Sequence, residues 1–304
     1  MIRAPMPALA APLPPPAATF AVDYREGPLD ALLADPRLLA VFGFGDDAPP
    51  IHDDPRYLHV ALPAPMDAPF ECWRVDQPVR CGRSDGIAWS EDGQLQFGAL
   101  EVPDAGGGDI EAAAAQAYAR LQDWLAASDY PHPLRLWNYL DAITAGEGDD
   151  ERYRRFCVGR AQGIGRALAP AELPAATAIG HPVATGRLQL YWLAAKAPGT
   201  PLENPRQVQA WRYPRQYGPQ APGFARALLP AADAMPLLVS GTAAVVGHAS
   251  LHGDSLEAQF AEVLANLVSL VDAARLVRSD LPTGPGAGTR LKVYVRDHES
   301  LPAV

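Results

Sequence analysis

Residues 203–226 hold four arginines, Arg206, Arg212, Arg215 and Arg226, and no acidic residue follows Glu203 until Asp233. Trp211, Tyr213, Tyr217 and Phe224 are interleaved with them. A guanidinium can grip a carboxylate through two parallel N–H···O bonds, and tyrosine adds a hydroxyl to a flat apolar body. The mixture suits a ring that carries carboxylates. Two other readings stay open: a solvated loop packing its aromatics on a sheet, and a platform for single-stranded nucleic acid. The net charge of −10 counts against the nucleic acid. The length of the segment favours function over the solvated loop, since long structureless loops are uncommon in compact domains.

A further cation stands out in the pattern of residues 150–168, which predicts a helix. Tyr153, Phe156, Cys157, Arg160 and Ile164 share one face at 3–4 spacing, so Arg160 points where apolar side chains point. An unpaired buried guanidinium is strongly destabilising, so Arg160 needs either an internal carboxylate or a substrate's. The remaining motifs carry less. His248 and His252 are four apart but in a loop, without a nearby Cys or a second pair, so no metal site is expected. Cys157 reads as a small buried side chain, and Ser240 lacks the glycine spacing of a nucleophile elbow. Gly43-Phe44-Gly45 is no dinucleotide fingerprint, and no P-loop is present. Glu203 lies nearest the arginines, yet at a loop start, and no carboxylate stands out as a general acid.

The 304 residues, 48% hydrophobic and 20% charged, suffice for one large domain or two modest ones. The acidic balance disfavours nucleic-acid and anionic-membrane partners. No apolar run approaches the roughly 20 residues of a membrane span. Three cysteines without tight spacing form no disulfide framework, which fits a reducing cytoplasm. Residues 1–20, rich in Ala and Pro, read as a flexible arm rather than a signal peptide.

The elements that must position these groups repeat in order. Residues 86–90 and 94–102 read as strands around the hairpin turn Glu91-Asp92-Gly93. A helix over 110–127 with Asp109 as N-cap follows, then a strand over 134–140. The second set comprises strands over 187–196 and 237–246, separated by the Arg/Tyr insert. A helix opened by Asp254 and Glu257 at capping-box spacing comes next, then a strand over 290–296. In the last strand Leu291, Val293 and Val295 alternate with Lys292, Tyr294 and Arg296. Strand–strand–helix–strand twice reads as a diverged duplication of one α+β unit, against chance recurrence in any α+β protein. The expected division is an arm over 1–20, a first unit with an extra helix over 21–180, and a second unit over 181–304.

Six segments together resemble the successive blocks of the chorismatases. They are RLWNYLDAI (135–143), ERYRRFCVGRAQGI (151–164), LPAATAIG (173–180), the insert with its flank (203–227), LLVSGTAAVVGH (237–248) and LKVYVRD (291–297). The nearest likeness is to the 3-hydroxybenzoate-forming branch, including bifunctional enzymes that also release 4-hydroxybenzoate. The resemblance implies an α+β fold of two fused RidA-like (YjgF-like) units, with mixed β-sheets and helices packed on one face. It implies chorismate as substrate, no cofactor or metal, and a monomer or a trimer. Substrate binding is carried over to Tyr139, Arg160, Arg212, Tyr213, Tyr217 and Arg226. Gly241 and Thr242 would line the pocket wall, and Lys292 would meet a carboxylate or the ether oxygen. The family's general-acid Glu is expected in a C-terminal block beyond Val304, so the C-terminal end of the second unit is expected to be missing.

Overall fold

The computed structural model describes residues 19–64, 69–104, 109–181 and 184–303, so most of the expected N-terminal arm lies outside the described residues. In chain order the first elements are β1 (Ala21–Arg25), α1 (Leu29–Leu33), β2 (Leu38–Phe44), β3 (Tyr57–Val60) and β4 (Phe70–Arg74). These strands form a sheet in the order β1-β4-β2-β3, which the repeat pattern did not announce. A six-stranded sheet follows, from β5 (Arg80–Ser84), β6 (Ile87–Glu91), β7 (Leu95–Pro103), β8 (His132–Asp141), β9 (Ala175–His181) and β10 (Arg187–Ala195). Between these strands lie α2 (Ile110–Ala127) and α3 (Arg152–Ile164).

The predicted hairpin is present, with β6 and β7 antiparallel from Ile87↔Leu100 to Glu91↔Gln96. α2 has the predicted cap: the Asp109 side chain accepts from the Ala112 N–H at 3.0 Å. α3 begins later than the apolar pattern predicts and stops at Gly165, whose φ of +71° suits glycine. It packs very close to α2. A Cβ at Gly159 or Gly163 would overlap the carbonyl oxygens of Glu111 and Ala115, so only glycine permits this approach.

One strand does not sit where the repeat placed it. β10 enters the first unit's sheet, antiparallel to both β7 and β8, in the order β5-β6-β7-β10-β8-β9. A boundary at residue 180 therefore separates β10 from the sheet it completes. The reason is visible in its burial: from Leu188 to Ala195 every residue is buried, because α2 and α3 cover one face and the first sheet the other. Three layers result, helices on six strands on four strands. Trp73, Phe42 and Phe97 meet Trp137, Tyr139 and Tyr191 between the two sheets.

The remainder is built from short elements. β11 (Thr200–Leu202), β12 (Ala227–Leu229) and β13 (Leu238–Val239) form a small sheet, and β14 (Val245–Val246) pairs with β15 (Ala249–Ser250). The predicted strand over 237–246 is thus two dipeptide strands flanking an irregular Ser240–Ala244 turn. α4 (Leu256–Arg275) follows, capped by Ser255 rather than Asp254. Its buried residues are Asn266, Leu270 and Ala274, while Leu256, Phe260 and Val268 are exposed. Residues 290–296 form no strand. Leu291 and Val293 are about half exposed, and Lys292 turns inward. A buried carboxylate, Glu71, and the Phe44 ring attract the lysine more than the edge attracts its apolar neighbours.

Candidate active site

α3 presents Tyr153, Cys157 and Arg160 toward the insert. Arg160 is 5% exposed, donates to the Gly223 carbonyl at 2.6 Å and lies over the Tyr118 ring. Tyr118 in turn donates to Asn138 Oδ1 at 2.9 Å, which ties the cation to β8. Burial raises the Tyr118 and Tyr153 hydroxyls above the usual phenol range and pushes the Cys157 thiol up to about 11. Cys157 is therefore a protonated filler and no nucleophile.

Arg226 is held from the other side. It is 7% exposed, with Phe224 and Tyr213 rings flanking its guanidinium. Its Nη2 donates to the Val208 carbonyl at 2.8 Å and stands 2.9 Å from the Tyr213 hydroxyl. Tyr213 and Tyr217 rings are 5.2 Å apart, and the Tyr217 hydroxyl donates to the His248 carbonyl at 2.7 Å. Neither Arg160 nor Arg226 is ion-paired with a carboxylate among the described residues, and each keeps a buried Nε with no hydrogen-bond partner. Gly223, which accepts from Arg160, is the chain neighbour of Phe224, whose ring lies under Arg226. Arg160 also lines a cleft of about 360 Å³ with Tyr118, Leu136 and Leu173. A second cleft, of about 510 Å³ around His59 and His181, lies away from these residues.

The other insert arginines do not join them. Arg206 pairs with Glu262 at 2.5 Å, Arg215 pairs with Asp149 at 2.5 Å, and Arg212 is exposed. Arg212, expected to bind substrate, is thus outside the group, because the short turn Ala210–Arg212 directs it to solvent. Gly241 lies against Thr177 near the start of β9, and the Thr242 hydroxyl donates to the Ser240 carbonyl. Tyr139 and Lys292 lie on the opposite face of β8. There Tyr139 contacts the hydroxyls of Tyr191 (3.3 Å) and Tyr294 (2.8 Å), and Lys292 pairs with Glu71 at 2.5 Å. The expected set is therefore split by the sheet: Arg160, Tyr213, Tyr217 and Arg226 on the helix side, Tyr139 and Lys292 between the sheets.

A family profile for the N-terminal part of FkbO/Hyg5-like chorismatases matches residues 71–194. A chorismatase of Streptomyces rapamycinicus is 38% identical over 242 residues, 77% of this chain and 71% of that protein. A 3-hydroxybenzoate synthase of Streptomyces hygroscopicus is 38% identical over 258 residues, 81% and 75% of the two chains. The chain belongs to the chorismatase family. The crystal structure of a chorismatase superposes with a TM-score of 0.79 at 31% identity, covering 94% of this chain and 88% of that one.

Two further groups matter: Arg135, which the sequence did not single out, and Glu203, which it placed nearest the arginines but at a loop start. Arg135, on the same side of β8 as Trp137 and Tyr139, stacks over the Trp137 ring at 4.5 Å and reaches Thr177 at 3.4 Å. Its alternation with Trp137 and Tyr139 was the available signal. Glu203 is half-buried, and burial pushes its carboxyl up to about 7, with Arg226 opposing the shift. Its Oε2 has no partner, and Oε1 accepts only a long 3.4 Å bond from the Arg226 backbone N–H. Nothing in the local sequence distinguishes this loop carboxylate from an exposed one.

Proposed function

We propose that this chain cleaves chorismate to pyruvate and 3-hydroxybenzoate, with 4-hydroxybenzoate as a minor second product. The observation that carries the reading is the pair of buried guanidiniums, Arg160 and Arg226, held by carbonyls and a phenol instead of carboxylates. Chorismate brings two carboxylates and a flat ring to these two guanidiniums. Tyr213 and Phe224 offer the ring faces against which such a cyclic acid packs.

The conversion consumes no oxidant and no net water. A proton added to the enol-ether methylene gives an oxocarbenium ion, water traps it, and collapse of the hemiketal releases pyruvate. The water taken up returns when the ring aromatises. The arginines contribute by fixing both carboxylates and so aligning the ether with the proton donor. The proton donor itself needs a carboxyl of raised pKa in a partly desolvated place. Incubation with chorismate, with pyruvate assayed enzymatically and the ring product by chromatography, tests this. The expected result is equimolar pyruvate and hydroxybenzoate, mostly the 3-isomer. Binding of 3-hydroxybenzoate without pyruvate release would instead mark a non-catalytic module for aromatic acids.

A further inference from the structure

The Arg226 site contains a carboxyl that the proposed reaction does not yet use. Glu203 directly follows β11 and Arg226 directly precedes β12, the strand paired with it. Its Oε2 and the Arg226 Nε are both shut off from water and both lack a partner, yet the two side chains form no ion pair. A buried carboxylate beside a buried guanidinium would ordinarily close such a pair. That they remain apart implies that Arg226 is kept for another anion.

We infer that Glu203 gates the carboxylate site by its charge. Neutral, it leaves Arg226 to the substrate; ionised, it neutralises Arg226 and repels the incoming carboxylate. The inference rests on the reading of Arg226 as a substrate-carboxylate ligand. Glu203 is a positioning residue here, acting through Arg226. The carboxyl's shift to about 7 places its titration in the working range, and Arg226 is the charged group that acts on it. The groups on neighbouring elements are otherwise engaged. Tyr213 of the insert is bound to Arg226. Arg206 and His252 share Glu262 of α4. Arg160 of α3 is held by Gly223.

The substrate's carboxylates stay ionised from pH 6 to 8.5, so a change in affinity over that range reports the protein. The wild-type KM for chorismate should rise by about tenfold across it, with kcat changing far less, as expected for a like charge introduced within a few ångströms. Glu203→Gln should hold the low KM at every pH. Calorimetry with 3-hydroxybenzoate at pH 7, in two buffers of different ionisation heat, should show proton uptake in the wild type and none in E203Q. If E203Q does not fold, Glu203→Asp should still show a titrating KM, with its midpoint displaced. An unaltered KM profile in E203Q, or an unmoved midpoint in E203D, overturns the inference. So does a collapse of kcat at constant KM, which would make Glu203 a proton donor. If the wild type releases no pyruvate the proposed reaction fails, and proton uptake on 3-hydroxybenzoate binding still decides the gate. No binding of that acid would sink both.

Discussion

Arg160 and Arg226 each leave an Nε donor buried without an acceptor, and such a group costs about 1–3 kcal/mol. The site therefore stores a deficit that a bound carboxylate can relieve. Glu203 carries the opposite kind of cost. Its carboxyl, ordinarily near 4.5, is pushed up to about 7 by burial. Between those two values the unfolded chain has released this proton while the folded chain keeps it. Stability therefore falls as pH rises through that window and stays lowered above it. The prediction is that E203Q melts above the wild type at pH 8 and level with it at pH 4, measured by calorimetric or fluorescence melting.

Glycine decides how near α2 and α3 can lie. With Gly163 against the Ala115 carbonyl, a methyl cannot be accommodated by moving a flexible side chain; the helices themselves must separate. Gly163→Ala should destabilise by about 2–3 kcal/mol, of the order of overpacking a core, as read from urea midpoints. A wild-type midpoint would mean that the helices already have slack. The sequence made α2 legible through Asp109 and its apolar stripe, and the β6–β7 hairpin through its Asp-Gly turn. It misplaced β10, because an apolar strand buried on both faces shows no preference for either neighbouring unit. It also predicted a strand over 290–296 that does not form. There alternation correctly separated two faces, but the buried partner of Lys292, Glu71, is more than two hundred residues away in the chain. Arg160 was legible because a cation on an apolar helix face is conspicuous. The fate of each insert arginine was not, since Glu262 and Asp149 reach Arg206 and Arg215 from distant elements.

On the scale of the whole molecule, a chain of net charge −10 confines two cations, neither ion-paired among the described residues, behind aromatic rings and one half-buried acid. The six-stranded sheet separates this group from the Tyr139–Tyr294 and Lys292–Glu71 contacts on its other face. Those contacts join the chain's C-terminal part to β8 and to β4. Family membership supplies the chemistry to expect, and the proposed place for it is the group of Arg160, Tyr213 and Arg226.

The most direct check is steady-state pyruvate release from chorismate by the wild type and by Arg226→Gln, with circular dichroism to show that both are folded. Loss of a buried, charge-assisted contact predicts a fall in kcat/KM of about a hundredfold or more in the variant. Turnover by folded R226Q equal to that of the wild type would contradict the account.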